Sequence, residues 1–377
     1  KRCRNSPVLG GERFLSSSKP SAVERVLKFK SALPYIVLLL PVFLLFGDVL
    51  FARGEWVASH AQYDVKCLYG PFRAFGYGEI AKGHLPLWDP HIYSGNPFLA
   101  SYQSALYYPL NLHYLFLPLS DALNIEIVLH VYLLGALMYA WSRNRGLSAV
   151  AALFAAIVVQ FSGPYFLRVL AGHVSYLSAL AWTPLAFLAV DRVLETRRIQ
   201  WAFVGATALT MTILAGHPPS VFCTLVALVP YAGVRLLQSG DRLRAAARLA
   251  LLFGFPPLIS AAQLLPALAL SKEGVRSGGL HFIHASSLSF PPENVLTTIA
   301  PSIFGDAFTA PYFGRWVHWE TCAFMGVAVV SLALYALLAG NRKVTLFWGA
   351  MVLFITLTAL GRYTPFYSAL YALVPGF

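Results

Sequence analysis

What most constrains this 377-residue chain is the length of its apolar runs. They recur in blocks of about twenty residues, the length an α-helix needs to cross a hydrocarbon core about 30 Å thick. Apolar–polar alternation is absent from them, so membrane helices are expected and not a β-barrel. Charged residues make up only 12% of the chain, against about a quarter in soluble domains. The expected fold class is an all-α polytopic membrane protein. Nine spans are expected, near 33–51, 122–141, 148–166, 174–190, 200–216, 219–236, 249–270, 320–339 and 343–360.

Charge orients these spans. The net charge of +12 does not signal nucleic acid, because the basic residues cluster in short segments between apolar blocks, as cytoplasmic loops do. Residues 1–32 form a basic segment carrying Lys1, Arg2, Arg4, Arg13, Lys19, Arg25, Lys28 and Lys30. With that end cytoplasmic, the inner loops hold Arg143, Arg145, Arg192, Arg197, Arg198, Arg235, Arg242, Arg244, Arg248, Arg342 and Lys343. Together these are nineteen of the 28 basic residues. The short inner loops suit contact with anionic lipid. Two long loops, about 52–121 and 271–319, then fall outside, and most residue patterns that suggest chemistry lie there. The segment SALYYPLNLHYLFLPLS, broken by Pro109 and Pro118, reads as interfacial or re-entrant.

Within the first outer loop, Asp64 stands close to the membrane surface. Partial burial there raises a carboxylate toward the range of a general base, although position alone favours a loop aspartate or helix cap. Downstream, HLPLWDPHIYSGNPF contains Pro86, Trp88, Asp89, Pro90, Tyr93 and Gly95. It reads as a stiff scaffold that lays aromatic rings at the headgroup level, with Asp89-Pro90 starting a turn. His173 (LAGHVSY) and His217 (LAGHPPS) each follow Ala-Gly at the outer end of a span, suited either to an anionic group or to capping. Glu273 and Arg276 open the second outer loop, and Arg362 lies on the outer tail. The arginines suit bidentate phosphate binding, while an exposed Glu273–Arg276 ion pair would contribute little. Glu126 and His130, four apart in one span, share a helix face, and structural pairing is favoured over a proton or substrate path.

Four cysteines without metal spacing indicate neither a zinc site nor a disulfide framework. No Walker or dinucleotide sequence is present, so coupling to ATP within this chain is not expected. No motif requires a cofactor, and a divalent metal stays open.

Several stretches together resemble the YfhO family of bacterial membrane proteins, of the GT-C glycosyltransferase type. They are GHLPLWDPHIYSGNPFLASYQSALYYPLN, LAGHPPS, AAQLLPALALSKEGVRSGG, SFPPENVLTTIAPSIFGD, WETCAFMGV and ALGRYTPFYSALYALVPGF. Two positions depart from the family's usual pattern: Asp89 stands for Asn, and Pro219 for a frequent Gln. The resemblance implies a GT-C-like domain over 33–377, the N-terminal portion of a longer protein in a bacterial cytoplasmic membrane. It implies transfer of a sugar from a polyprenyl-phosphate carrier to a glycan or cell-wall acceptor on the outer face, with inversion. Asp64 would be the base, and His173, His217, Arg276 and Arg362 candidate phosphate partners. A transporter or lipid flippase is the alternative, suggested by Glu126, His130 and the break at Pro256-Pro257.

Overall fold

The computed structural model describes residues 22–51, 56–60, 64–274, 277–306 and 309–374. The described residues are mostly helical, and their only strands are the two-residue pair Trp88–Asp89 (β1) and Asn96–Pro97 (β2). The helices, in order, are α1 (Ala22–Phe51), α2 (Gly70–Ala81), α3 (Leu119–Asn144), α4 (Ala149–Gln160), α5 (Gly163–Ala171) and α6 (Val174–Leu180). There follow α7 (Thr183–Thr196), α8 (Gln200–Leu214), α9 (Pro218–Leu237), α10 (Arg242–Ile259) and α11 (Ala261–Glu273). The last are α12 (Phe282–Ala285), α13 (His318–Thr321), α14 (Val327–Ala339), α15 (Arg342–Ala359) and α16 (Pro365–Leu373).

Among the described residues, six helical stretches are long and apolar enough to cross a membrane, or seven if the bent pair α10–α11 counts as one span. The sequence led us to expect nine, and the difference has three local causes. Helix α8 has 15 residues and α14 has 13, lengths of about 22 and 20 Å against a core of about 30 Å. The segment expected at 320–339 is irregular before Gly326, whose φ of 99° stops helix continuation. At 249–270 the helix bends by 69° at Ser260, just after Pro256 and Pro257 remove two backbone donors. The helix expected from residue 33 already begins at Ala22.

α3 is the central element. Leu123, Glu126, Ile127, His130, Val131 and Leu134 recur at helical spacing and are all buried. Around it pack α1, α4, α6 and α7. Small residues permit close crossings: Ala152 and Ala156 lie in one cluster with Leu38 and Tyr139, and a Cβ at Gly205 would come within 2.4 Å of Leu252. Helices α14 and α15, by contrast, bury almost nothing. Apolar side chains facing outward there suit a hydrocarbon solvent.

Segment 102–115, with short 3₁₀ helices at Tyr102–Ser104 and Pro109–Leu115, is partly packed inside. Ala105 and Tyr108 are fully buried against Ala179, Met211, Leu214 and Ala215. Leu112 and Phe116, at its far end, stay exposed. Nearby, β1 pairs with β2 across a turn in which Tyr93, Ser94 and Gly95 all have positive φ. Asp89 Oδ1 accepts the His91 N–H at 2.8 Å, and Phe98 fills a pocket with Phe72 and Leu106. Trp88 and Tyr93 remain exposed.

Candidate functional site

Four elements bring Asp64 to its position. Asn124 of α3 accepts the Ala58 N–H at 2.8 Å and donates to the carbonyls of Val49 and Trp56. One buried amide thus fastens the end of α1 and the following loop to the central span. His60 N–H then bonds the Leu170 carbonyl at the end of α5. Asp64 follows at the head of a π-helical turn, Val65–Tyr69. That wide turn requires Gly70, where a Cβ would lie 2.6 Å from the Val65 carbonyl.

The two Ala-Gly-His sequences owe their glycines to similar demands. Gly172 ends α5 with φ of 73°, and a Cβ there would sit within 2.8 Å of Ser59 and Val65. Gly216 has φ of 86°, and its Cβ would meet the Tyr102 carbonyl at 2.7 Å. Each glycine both stops a helix and admits a neighbouring segment, and the histidine that follows lands beside it.

Asp64 and His173 are joined, Oδ2 to Nε2, at 3.1 Å. On the other side of the ring, Nδ1 meets Arg168 Nη1 at 3.0 Å. Arg168 forms a two-pronged ion pair with Glu320 of α13, the Nη2–Oε2 contact being 2.7 Å. The guanidinium also lies over the Tyr176 ring at 4.6 Å, and Tyr176 meets His217 edge-to-face at 5.3 Å. His217 Nδ1 accepts the Ser220 N–H, so in the neutral ring Nε2 carries the proton. The buried Nε of Arg168 has no hydrogen-bond partner among the described residues.

Asp64, His173 and His217 thus share one locality, joined by Arg168 and Glu320, which the sequence reading did not single out. Arg168 had a visible signal as an ionisable residue inside an otherwise apolar helix. Glu320 had none beyond its place in WETCAFMGV. Arg362 lies elsewhere: it donates to the carbonyls of Ser286 and Ile283 and stacks near Trp316, bracing the second loop. Glu273 is exposed at the end of α11, and Arg276 lies outside the described residues.

A cavity of about 1370 Å³ adjoins the Asp64 turn. It is bounded by Leu50 and Phe51 of α1, Trp56, Lys66 after Asp64, and Ser120 and Asp121 at the start of α3. Among the described residues no group of three His, Cys, Asp or Glu side chains could hold a metal ion.

Glu126 does not pair with the His130 side chain. It accepts both prongs of Arg73 at 3.1 and 3.2 Å, together with Tyr114 at 2.6 Å and Ser178 at 3.1 Å. Arg73 spends its other donors on Gln103, Ser104 and Ser175. His130 instead bonds the Glu126 carbonyl and Tyr108. An arginine from the loop outcompetes a same-face histidine because its fork matches both carboxylate oxygens. At the opposite end of α3 a second cluster joins Asp191 to Arg145, Arg235, Tyr231 and Trp141. The Arg-rich ends of α3, α7 and α9 therefore meet far along the bundle from Asp64.

Burial pushes His217 down to about 4, with the charge of Arg168 adding to the effect. The unfolded ring, near 6.5, binds a proton that the native ring refuses. Stability should therefore fall as pH drops from about 6.5 toward 4, at up to about 1.4 kcal/mol per unit. Thermal unfolding in detergent should show this slope in the wild type, and His217→Gln should flatten it.

The chain matches no family model, no curated protein and no solved structure. Fold and composition define a class: an all-helical, multi-pass membrane protein. Its distinguishing feature is the Asp–His–Arg–Glu line, with His217 beside it.

Proposed function

We propose that this protein is a GT-C-type glycosyltransferase related to the YfhO family. It moves a sugar from a polyprenyl-phosphate carrier to a cell-envelope acceptor on the outer face of a bacterial cytoplasmic membrane. The observation that carries the reading is the convergence of Asp64, His173, Arg168, Glu320 and His217 at the end of the bundle away from the Asp191 cluster. In this arrangement α8, α14 and the bent α10–α11 complete nine spans, with the basic N-terminus cytoplasmic.

The chemistry is a single displacement. Asp64 removes the acceptor hydroxyl proton while that oxygen bonds to the anomeric carbon. The bond from that carbon to the phosphate oxygen breaks, its electron pair leaves with the phosphate, and the configuration inverts. The half-buried His217 Nε2–H is a donor for the charge that builds on the phosphate. The adjoining cavity, with the apolar Leu50 and Phe51 beside Lys66, offers room for an amphiphilic carrier.

A transporter or flippase would need ionisable groups free to exchange partners along a path. Glu126 has four hydrogen bonds and Arg73 spends every donor, which supports the enzyme over transport. The test is direct. The purified chain is incubated with a panel of polyprenyl-phosphate sugars and the release of polyprenyl phosphate is followed. Release dependent on added acceptor is expected; no release from any donor, with lipid scrambling in vesicles instead, would overturn the reading.

A further inference from the structure

Arg168 contacts His173 with Nη1 and Glu320 with both Nη atoms. A guanidinium has donors and no acceptor, and it stays protonated in proteins. The Nη1–Nδ1 contact at 3.0 Å therefore requires a lone pair on His173 Nδ1. The ring proton must then sit on Nε2, which faces Asp64 Oδ2 at 3.1 Å. Polarity along the line follows in one direction: Arg168 donates to His173, and His173 donates to Asp64. Glu320 fixes the start of the line. Its carboxylate grips the guanidinium in a planar fork, which sets the plane in which the remaining Nη1–H can point. Gly172 brings the Asp64 segment close enough to receive the far end.

We infer that Arg168, braced by Glu320, fixes His173 as a hydrogen-bond donor to Asp64, so that His173 is a positioning residue and not a base or proton relay. A relay would need His173 Nε2 to take up the proton that Asp64 gains. That nitrogen already carries one, and Nδ1 cannot release another because it holds none. The proton from the acceptor hydroxyl therefore leaves Asp64 directly to water, and Asp64 is the half-exposed member of the pair. The donated bond on Oδ2 orients the carboxylate and leaves Oδ1 for the acceptor.

What Asp64 does rests on the transferase reading; the ring tautomer does not, so its test requires no substrate. The full chain, labelled with ¹⁵N-histidine and held in detergent at neutral pH, gives ring nitrogen resonances for its ten histidines. The His173 pair is the one missing from His173→Gln. If that variant does not fold, the pair is the one that moves in Glu320→Gln. An unprotonated Nδ1 with a protonated Nε2 is expected. In Arg168→Met the lone pair on Nδ1 loses its donor, and the ring should shift toward a mixture of tautomers. A wild-type ring protonated on Nδ1, alone or on both nitrogens, would overturn the inference. So would a ring unchanged in Arg168→Met.

Discussion

In the proposed transferase, Asp64→Asn is expected to lower sugar transfer by about 10²–10⁴-fold, the usual contribution of a positioned general base. The amide keeps the size of the side chain and can still accept the His173 Nε2–H through its oxygen. Folding and the contact to α6 should therefore survive while the proton acceptor is lost. The measurement is initial rate against donor concentration for both proteins. A fall in kcat with donor KM nearly unchanged fits a group that acts only in the transition state. Retained turnover would remove Asp64 from the chemistry, and a rise in KM alone would recast it as a binding group. Asp64→Glu separates position from basicity: the carboxylate returns, displaced by one methylene, and only partial recovery is expected.

The second large effect is on stability. Glu126→Ala should destabilise the protein by about 3–5 kcal/mol, because it leaves the fully buried Arg73 guanidinium without its counter-charge. Arg73→Ala should act similarly from the other side, stranding a carboxylate. The double replacement Arg73→Met with Glu126→Leu should lose much less than the sum of the single losses, since neither charge is then left buried alone. Thermal and denaturant unfolding of the four proteins in one detergent checks this. Additive losses would show that the pair is not coupled as the geometry has it. The effect should also reach the site, because Arg73 lies two turns beyond Asp64 on the continuous helical segment 65–81 and ties it to α3 and segment 102–115.

How much of this was written in the sequence depends on which interactions are local. The membrane-helical class is legible because run length and charge spacing are properties of short windows. Asp64, His173 and His217 stand out by their place at span ends, and the shared Ala-Gly-His pattern reflects a backbone need that recurs at two turns. Arg73 was not legible. It sits among Phe72, Ala74 and Phe75 in a loop helix, and nothing in that neighbourhood announces a partner 53 residues away. Glu126 and His130 show the same limit from the other side: their spacing correctly gives a shared face, but the partner of a carboxylate is chosen by tertiary geometry. Arg362 resembles a free outer cation in the sequence, yet the carbonyls at 283 and 286 take its donors. The number of spans was blurred where a proline pair or a positive-φ glycine interrupts an apolar run, because composition averages over breaks that the backbone does not.

The pairing of Arg168 with Glu320 bears on how such a protein is made. Ribosome-coupled insertion delivers Asp64, Arg168 and His173 early, whereas the carboxylate that braces the arginine is translated 152 residues after it. Until then the nascent bundle carries a guanidinium in its interior without its carboxylate. The site is thus assembled last although most of it is synthesised first. A chain arrested before residue 320 would hold an unfinished centre and an uncompensated charge, a defect that quality-control proteases can recognise.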